Sequence, residues 1–271
     1  MDSVIEDQNE YRLGILREMM QFCEENGIKC LLAWGSLLGA VREGGIIPWD
    51  YDIDVMMTRE DYDRFVEGFG SKNGRYQLWA PETNKKYKGK LGIVVDTYTE
   101  CVNLKLPECN PLEHLFVEIY VFDALPSGEE DREALLNKMC RLSTINRIKT
   151  SYWTPGSSFV KNIVMLVLRT LLSPFPEREI IKKTLEAVEP GSIIEYASTY
   201  NGRPYCEKHV SAEFFQSTEL VDFDGVMCRI PNDYHKFLTD TYGDYMTPPP
   251  LEDRERAELL KDSCVYRYVQ R

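Results

Sequence analysis

The sequence contains no uninterrupted apolar run of 18 residues, which excludes a single-helix membrane span by length. It has no CxxC pair among its 8 cysteines. Its only histidines, His114, His209 and His235, have no zinc-ligand spacing to a cysteine, so structural zinc is not expected. It is short of basic residues: 32 Lys+Arg stand against 44 Asp+Glu, a net charge of −12. That balance excludes a non-specific nucleic-acid binder, which needs a basic face, but leaves room for a local basic pocket holding one phosphorylated ligand. The opening MDSVIEDQNEY is acidic and has no apolar h-region, so no secretion signal is expected and the cysteines read as reduced thiols of a cytoplasmic protein. No repeat or low-complexity tract stands out, and no Gly/Ser/Pro-rich linker divides the 271 residues.

What is present is an N-terminal half that mixes helix and strand, a helical middle and a small mixed C-terminal part. Residues 4–26 carry apolar side chains at helical spacing (Ile5, Leu13, Leu16, Met20, Cys23) and end at Asn26-Gly27. KCLLAW (29–34) reads as a strand broken by Gly35-Ser36, with a helix restarting at Leu37. DIDVMM (52–57) reads as a strand, and Thr58 caps a helix over 59–69 with Asp61 three residues on. YQLWA, LGIVVD and LFVEIYVF read as further strands. Helical patterns cover 129–172, interrupted at 153–156, and 177–188. VSAEFF, STELVDF and VMCRIP read as short strands around Asp224-Gly225, and a helix over 231–242 is ended by Pro248-Pro249-Pro250. The N-terminal half reads as α/β or α+β and the expected class of the whole is α+β, in one compact unit with two lobes: a core over 1–128 that carries the sharp motifs and a helical and small mixed lobe over 129–271.

The chemistry concentrates in LLAWGSLLGAVREGGIIPWDYDIDVMM (31–57). A strand that runs through Gly35-Ser36 into a helix offers free N–H groups, a favourable helix dipole and a serine hydroxyl to an anion, so Gly35 and Ser36 are candidate phosphate contacts. Asp52 and Asp54 lie two apart, on one face if the segment is a strand. Two such carboxylates repel unless a cation offsets them, and hard oxygen donors suit Mg²⁺ or Mn²⁺. Glu118, an acid inside the apolar strand LFVEIYVF, is the candidate third ligand, with Asp123 second. Asp50 is expected outside the metal shell, capping the turn or orienting a ligand, and Trp49 in the core rather than against a ligand. A phosphate cradle joined to a metal site is the equipment of phosphoryl transfer.

WGSLLGAVREGGIIPWDYDIDV strongly resembles the LicD family of phosphocholine transferases, related to the fukutin proteins. FVEIYVFDALP and YHKFLTDTYGDYMTPPPLEDR are similar to further family segments, so the likeness spans about residues 10 to 255. The resemblance implies a nucleotidyltransferase-like mixed sheet with flanking helices and a divalent-metal site. It implies transfer of phosphocholine, or a similar phospho-alcohol, from a CDP-activated donor to a glycan hydroxyl, releasing CMP. CDP-choline is the favoured donor, and the glycan is in one reading lipid-linked, at the inner face of the membrane. Gly35 and Ser36 then stand as the donor phosphate pair, Asp52, Asp54 and Glu118 as the catalytic metal ligands, and Arg42 as a further phosphate contact. Three departures bear on the substrate: Glu43-Gly44 replaces a basic pair, Tyr51 replaces an acid, and Ile93 stands where a lysine often precedes the D-x-x-T motif (Asp96–Thr99), with Lys88 or Lys90 as substitutes. The alternatives are a nucleotidyltransferase moving a nucleoside monophosphate onto a small acceptor, told apart by release of pyrophosphate rather than CMP, and a non-catalytic binding protein on the same fold.

Three other segments carry weaker signals. FVKNIVMLVLRTLL (159–172) reads first as a buried core helix and second as an interfacial helix giving peripheral membrane contact. Tyr152 and Trp153 are loop aromatics that suit a quaternary ammonium cage, with ordinary packing the favoured reading. Lys85, Lys86, Lys88 and Lys90 read as a solvated turn.

Overall fold

A computed structural model of the chain describes residues 3–70, 74–81, 83–84, 86–87, 89–102, 113–150, 158–189, 195–198, 209–261 and 264–269. In order these form β1 (Ser3–Val4), α1 (Gln8–Asn26), β2 (Leu31–Leu32), α2 (Trp34–Arg42), β3 (Asp54–Thr58), α3 (Arg59–Gly68), β4 (Tyr76–Trp79), β5 (Gly92–Asp96), β6 (Thr99–Cys101) and β7 (Leu115–Ala124). They continue with α4 (Glu129–Lys149), α5 (Phe159–Leu172), α6 (Glu177–Glu186), β8 (Glu195–Ala197), β9 (His209–Ser211), α7 (Ala212–Gln216), β10 (Thr218–Phe223), β11 (Val226–Pro231), α8 (Tyr234–Tyr242), α9 (Leu251–Lys261) and β12 (Tyr266–Tyr268).

Alternation decides the central strand. Along β7, Leu115, Val117 and Ile119 are buried while Phe116, Glu118 and Tyr120 are only half-buried, as a period of two requires. The main sheet runs β10-β11-β2-β3-β7-β5-β4. It is mixed: β11 is parallel to β2, whereas β2–β3, β5–β7 and β4–β5 are antiparallel. The first four residues of β3 are all buried, as expected of a strand with covered faces. The β10–β11 hairpin turns on Asp224 (φ 48°) and Gly225 (φ 79°), the two positive φ values that a two-residue turn with right-handed twist demands. A separate three-stranded antiparallel sheet, β1-β12-β6, closes over Ile5, Cys101, Leu115 and Tyr266.

The chain divides into two units at places other than the 128/129 boundary read from the sequence. Residues 1–87, 91–121 and 213–271 form the first, and residues 88–90 and 122–212 the second. The C-terminal segment belongs to the first unit because β11 pairs with β2 (Arg229 opposite Leu31) and β12 with β6. The second unit contains α4, α5 and α6 and a core of Leu125, Leu135, Met139, Leu142 and Ile181.

Local signals set most boundaries. Thr58 caps α3 by accepting the Asp61 N–H at 3.3 Å, and Gly27 (φ 61°) ends α1 in the left-handed region. Four expectations are corrected. The strand over 29–34 shrinks to Leu31–Leu32, because α2 begins already at Trp34. The AEFF part of VSAEFF is helical, its adjacent phenylalanines Phe214 and Phe215 both buried. α8 ends at Gly243 (φ 70°), ahead of the prolines, and these precede a further helix, α9. α5 is not a core helix: Asn162 is its one buried residue. None of the six described cysteines forms a disulfide.

Candidate active site

The sequence brings a glycine-serine pair and a run of acids to one place by packing α2 against β3. α2 starts at Trp34, whose φ of 43° is a strained value for a bulky side chain. That sharp entry puts Gly35 and Ser36 in the first helical turn, where the N–H groups have no helical acceptor. The Ser36 hydroxyl accepts the N–H of Asp54 at 2.9 Å, in a fully buried bond that ties helix start to strand start. A Cβ on residue 35 would stand 2.6 Å from Oδ2 of Asp50, so that carboxylate packs directly on the glycine.

Asp54 opens β3 and Glu118 sits on β7, the next strand in the sheet; the Glu118 N–H donates to the Ile53 carbonyl at 3.0 Å. Asp52 lies just before β3 rather than within it, yet it joins the same group. Burial, then the charges of Asp50 and Glu118, push the Asp52 carboxyl up to about 8, with a hydrogen bond that the protonated Asp52 donates to Asp50 adding to the effect and Arg12 opposing it. Burial and the charges of Asp52, Glu118 and Asp50 raise Asp54 well above the carboxylate range. Burial raises Glu118, opposed by the Tyr120 hydroxyl, which donates to it at 3.2 Å. The charge of Asp52 pushes the neighbouring Tyr51 phenol up to about 12. Four acids therefore share one pocket of negative potential, Asp50 included. Asp123 lies in the second unit, where β7 meets β8.

This donor set suits a hard divalent cation. Oδ1 of Asp54 is buried with no hydrogen-bond partner, a costly state that a bound cation would relieve. Among the described residues, no three His, Cys, Asp or Glu side chains already stand in metal-holding geometry.

Arg42 is heavily engaged. Its Nε pairs with Glu43 at 2.7 Å, its Nη1 donates to the Tyr245 carbonyl at 3.0 Å, and its guanidinium lies 5.7 Å from the Trp49 ring centre. Arg254 lies 5.4 Å from the same ring, so Trp49 is a half-buried anchor for two cations. Of the lysines offered as substitutes at Ile93, Lys88 is outside the described residues and Lys90 donates to Ser143 of α4. Ile93 itself is directly opposite Glu118 in the β5–β7 ladder. Tyr152, Trp153 and Lys85 also lie outside the described residues. A depression of about 440 Å³ lined by Ala134, Asn137, Lys138, Arg141 and Leu142 lies on α4 and holds none of the expected site residues.

Sequence reasoning missed Arg12. It is buried on the inner stripe of α1 with Ile15, Leu16, Met19 and Cys23, and its charge acts on Asp52 and Asp50. The signal was an arginine three and four residues ahead of Ile15 and Leu16, on a face otherwise apolar. The D-x-x-T motif proves to be a corner brace: Arg75 grips Asp96 with two bonds of 2.9 and 2.6 Å, and the Thr99 hydroxyl donates to the Asp96 carbonyl at 2.7 Å.

Residues 27–131 match the family profile described as the LicD/FKTN/FKRP nucleotidyltransferase domain, and those residues contain every site element above except Arg12 and the C-terminal contacts. Over those residues the chain is similar to the LicD family. The LicD-type segment is embedded in a longer likeness. The chain is 27% identical over 258 residues to the lipopolysaccharide cholinephosphotransferase LicD of Haemophilus influenzae, covering 93% of this chain and 94% of that protein. It is 41% identical over 66 residues to the human ribitol 5-phosphate transferase FKRP, which is 23% of this chain and 13% of that protein. A 90-residue match at 30% identity links it to mannosyltransferase regulator 4 of Saccharomyces cerevisiae, over 29% of this chain and 8% of that protein. The nucleotidyltransferase-like α+β fold expected of a LicD relative is thus the fold observed.

Proposed function

We propose that the protein transfers phosphocholine, or a similar phospho-alcohol, from a CDP-activated donor to a glycan hydroxyl. The observation that carries this is the convergence of Asp50, Asp52, Asp54 and Glu118 beside the first turn of α2. The near full-length likeness to a lipopolysaccharide cholinephosphotransferase supports the acceptor class, and the shorter likeness to a ribitol 5-phosphate transferase keeps the transferred alcohol open.

In this reading Gly35 and Ser36 present backbone N–H groups and a hydroxyl to the donor phosphates. Asp52, Asp54 and Glu118 would hold Mg²⁺ or Mn²⁺, which would supply charge compensation for the pyrophosphate. Arg42, at the C-terminal end of the helix that Gly35 and Ser36 begin, adds positive charge for the donor, and Glu43 and Tyr245 fix its position. The acceptor oxygen forms a bond to the distal phosphorus, the bond from that phosphorus to the bridging oxygen breaks, and CMP leaves with the bond's electrons. A general base takes the acceptor's proton as its oxygen attacks. Asp50 packs against Gly35 and shares hydrogen bonding with Asp52, which makes it a positioning residue.

The description of the matched domain favours one second reading, a nucleotidyltransferase that moves a nucleoside monophosphate and releases pyrophosphate. Calorimetry with CDP-choline, CDP-ribitol, CDP-glycerol, CTP and ATP, with and without Mg²⁺, separates the two. Metal-dependent binding of one CDP-alcohol, lost in Asp52→Asn/Asp54→Asn, supports phospho-alcohol transfer. Binding of CTP or ATP alone selects the second reading.

A further inference from the structure

α5 buries almost nothing. Phe159, Val160, Val164, Leu166, Val167 and Leu171 are each about half or more exposed, from 49% to 69%. At about 100° per residue they cover about half of the helix circumference. The opposite side, with buried Asn162 and half-buried Met165 and Leu172, is the one that packs on α4. So broad an exposed apolar band on a helix fixed by its other side marks a binding surface.

Charge says what the band faces. Residues 134–176 contain no Asp or Glu and carry six cations, Lys138, Arg141, Arg147, Lys149, Lys161 and Arg169, in a chain whose net charge is −12. One of the six, Lys149, is paired with Glu177, and the other five are exposed. A second copy docked through this helix would bring its own net-positive segment against the first, so a symmetric dimer there is opposed by repulsion. A negatively charged surface is attracted. α5 is about 21 Å long at 1.5 Å per residue, too short for a hydrocarbon core of about 30 Å. With α6, at a bend of 59°, it is long and apolar enough to pass for a broken span, but α6 carries Glu177, Arg178, Glu179, Lys182, Lys183 and Glu186, six charges that are costly inside a bilayer.

We propose that α5 is an interfacial helix that docks this protein on an anionic lipid bilayer, its apolar band sunk below the headgroups and Lys161 at the phosphates. The proposal goes beyond the transferase reading and does not depend on it. The test is flotation of the full chain with vesicles of phosphatidylcholine alone and of phosphatidylcholine with phosphatidylglycerol, at low and high salt. The expected result is flotation with the anionic vesicles only, weakened by salt. Val164→Asp/Leu171→Asp, at exposed positions and checked by circular dichroism, loses it. Lys161→Glu weakens it by about tenfold, because it replaces attraction by repulsion at the headgroups. No flotation with anionic vesicles overturns the proposal. So does equal flotation of the double variant, or self-association that the double variant abolishes in a chain that ignores vesicles. Nucleotide binding is read separately in the same variants, so failure of one reading leaves the other standing.

Discussion

Oδ2 of Asp50 lies so close to Gly35 that a Cβ on residue 35 would stand 2.6 Å from it. That contact is backed on the other side of the turn by the bond from the Asp54 N–H to the Ser36 hydroxyl. Gly35→Ala therefore forces Asp50 away from α2. Because the clash is with the tip of a side chain that can swing aside, the expected cost in stability is about 1 kcal/mol, at the low end for overpacking, together with loss of metal-dependent nucleotide binding. Asp50→Ala removes the obstructing carboxylate, so the double variant is more stable than the sum of the single changes predicts. A double-mutant cycle by urea denaturation measures that coupling, and strict additivity would show that the two residues do not touch in solution.

Ser36→Ala deletes the acceptor of a buried N–H. Leaving such a group unsatisfied costs about 1–3 kcal/mol. Because the bond is local, hydrogen exchange at the Asp54 amide rises more than at Met56 or Met57, which lie deeper in β3. Uniform change along the strand would mean that the hydroxyl is not the acceptor.

The D-x-x-T motif invites a catalytic reading, and its geometry argues for a structural one. Asp96 is fully buried and gripped at two oxygens by Arg75, whose side chain is 25% exposed. Removing one partner of such a pair leaves a buried charge alone, at a cost of about 3 kcal/mol. Arg75→Met is expected to lower the free energy of unfolding by that amount while the surviving folded fraction binds nucleotide with unchanged affinity. A loss of affinity at constant stability would place Arg75 in the site instead.

Periodicity made β7 legible, because a lone acid on its half-buried face stands out at Glu118. It made Thr58 and Gly27 legible as caps and Asp224-Gly225 as a hairpin turn. It failed at the start of α2, since no local rule places a tryptophan at positive φ; contacts of Trp34 with Tyr120 and Phe237, remote in sequence, hold it there. The same limit hid Arg12, whose meaning depends on acids some forty residues away, and the return of residues 213–271 to the first unit through β11 and β12. α5 shows the reverse limit: hydropathy reports that a helix is apolar, and says nothing of whether protein or another apolar phase covers it.

The acid cluster makes the protein's stability depend on pH in a direction that can be worked out. Asp52 titrates near 3.8 when exposed and at about 8 when folded. Between those values the folded state holds a proton that the unfolded state has lost, so stability falls as pH rises and levels only above about 8. Asp54 and Glu118 are shifted the same way and add to the slope. Asp52→Asn keeps a neutral side chain at every pH and should therefore raise the melting temperature of the metal-free protein at pH 9 while leaving it nearly unchanged at pH 4. Metal binding works against the same protons, so Mg²⁺ should bind more tightly as pH rises toward 8, release protons measurable by calorimetry in buffers of different ionisation heat, and restore the melting temperature at pH 9. A wild-type protein whose metal-free stability rises from pH 5 to pH 8 would mean that these carboxylates are ionised and already offset by something other than a divalent ion.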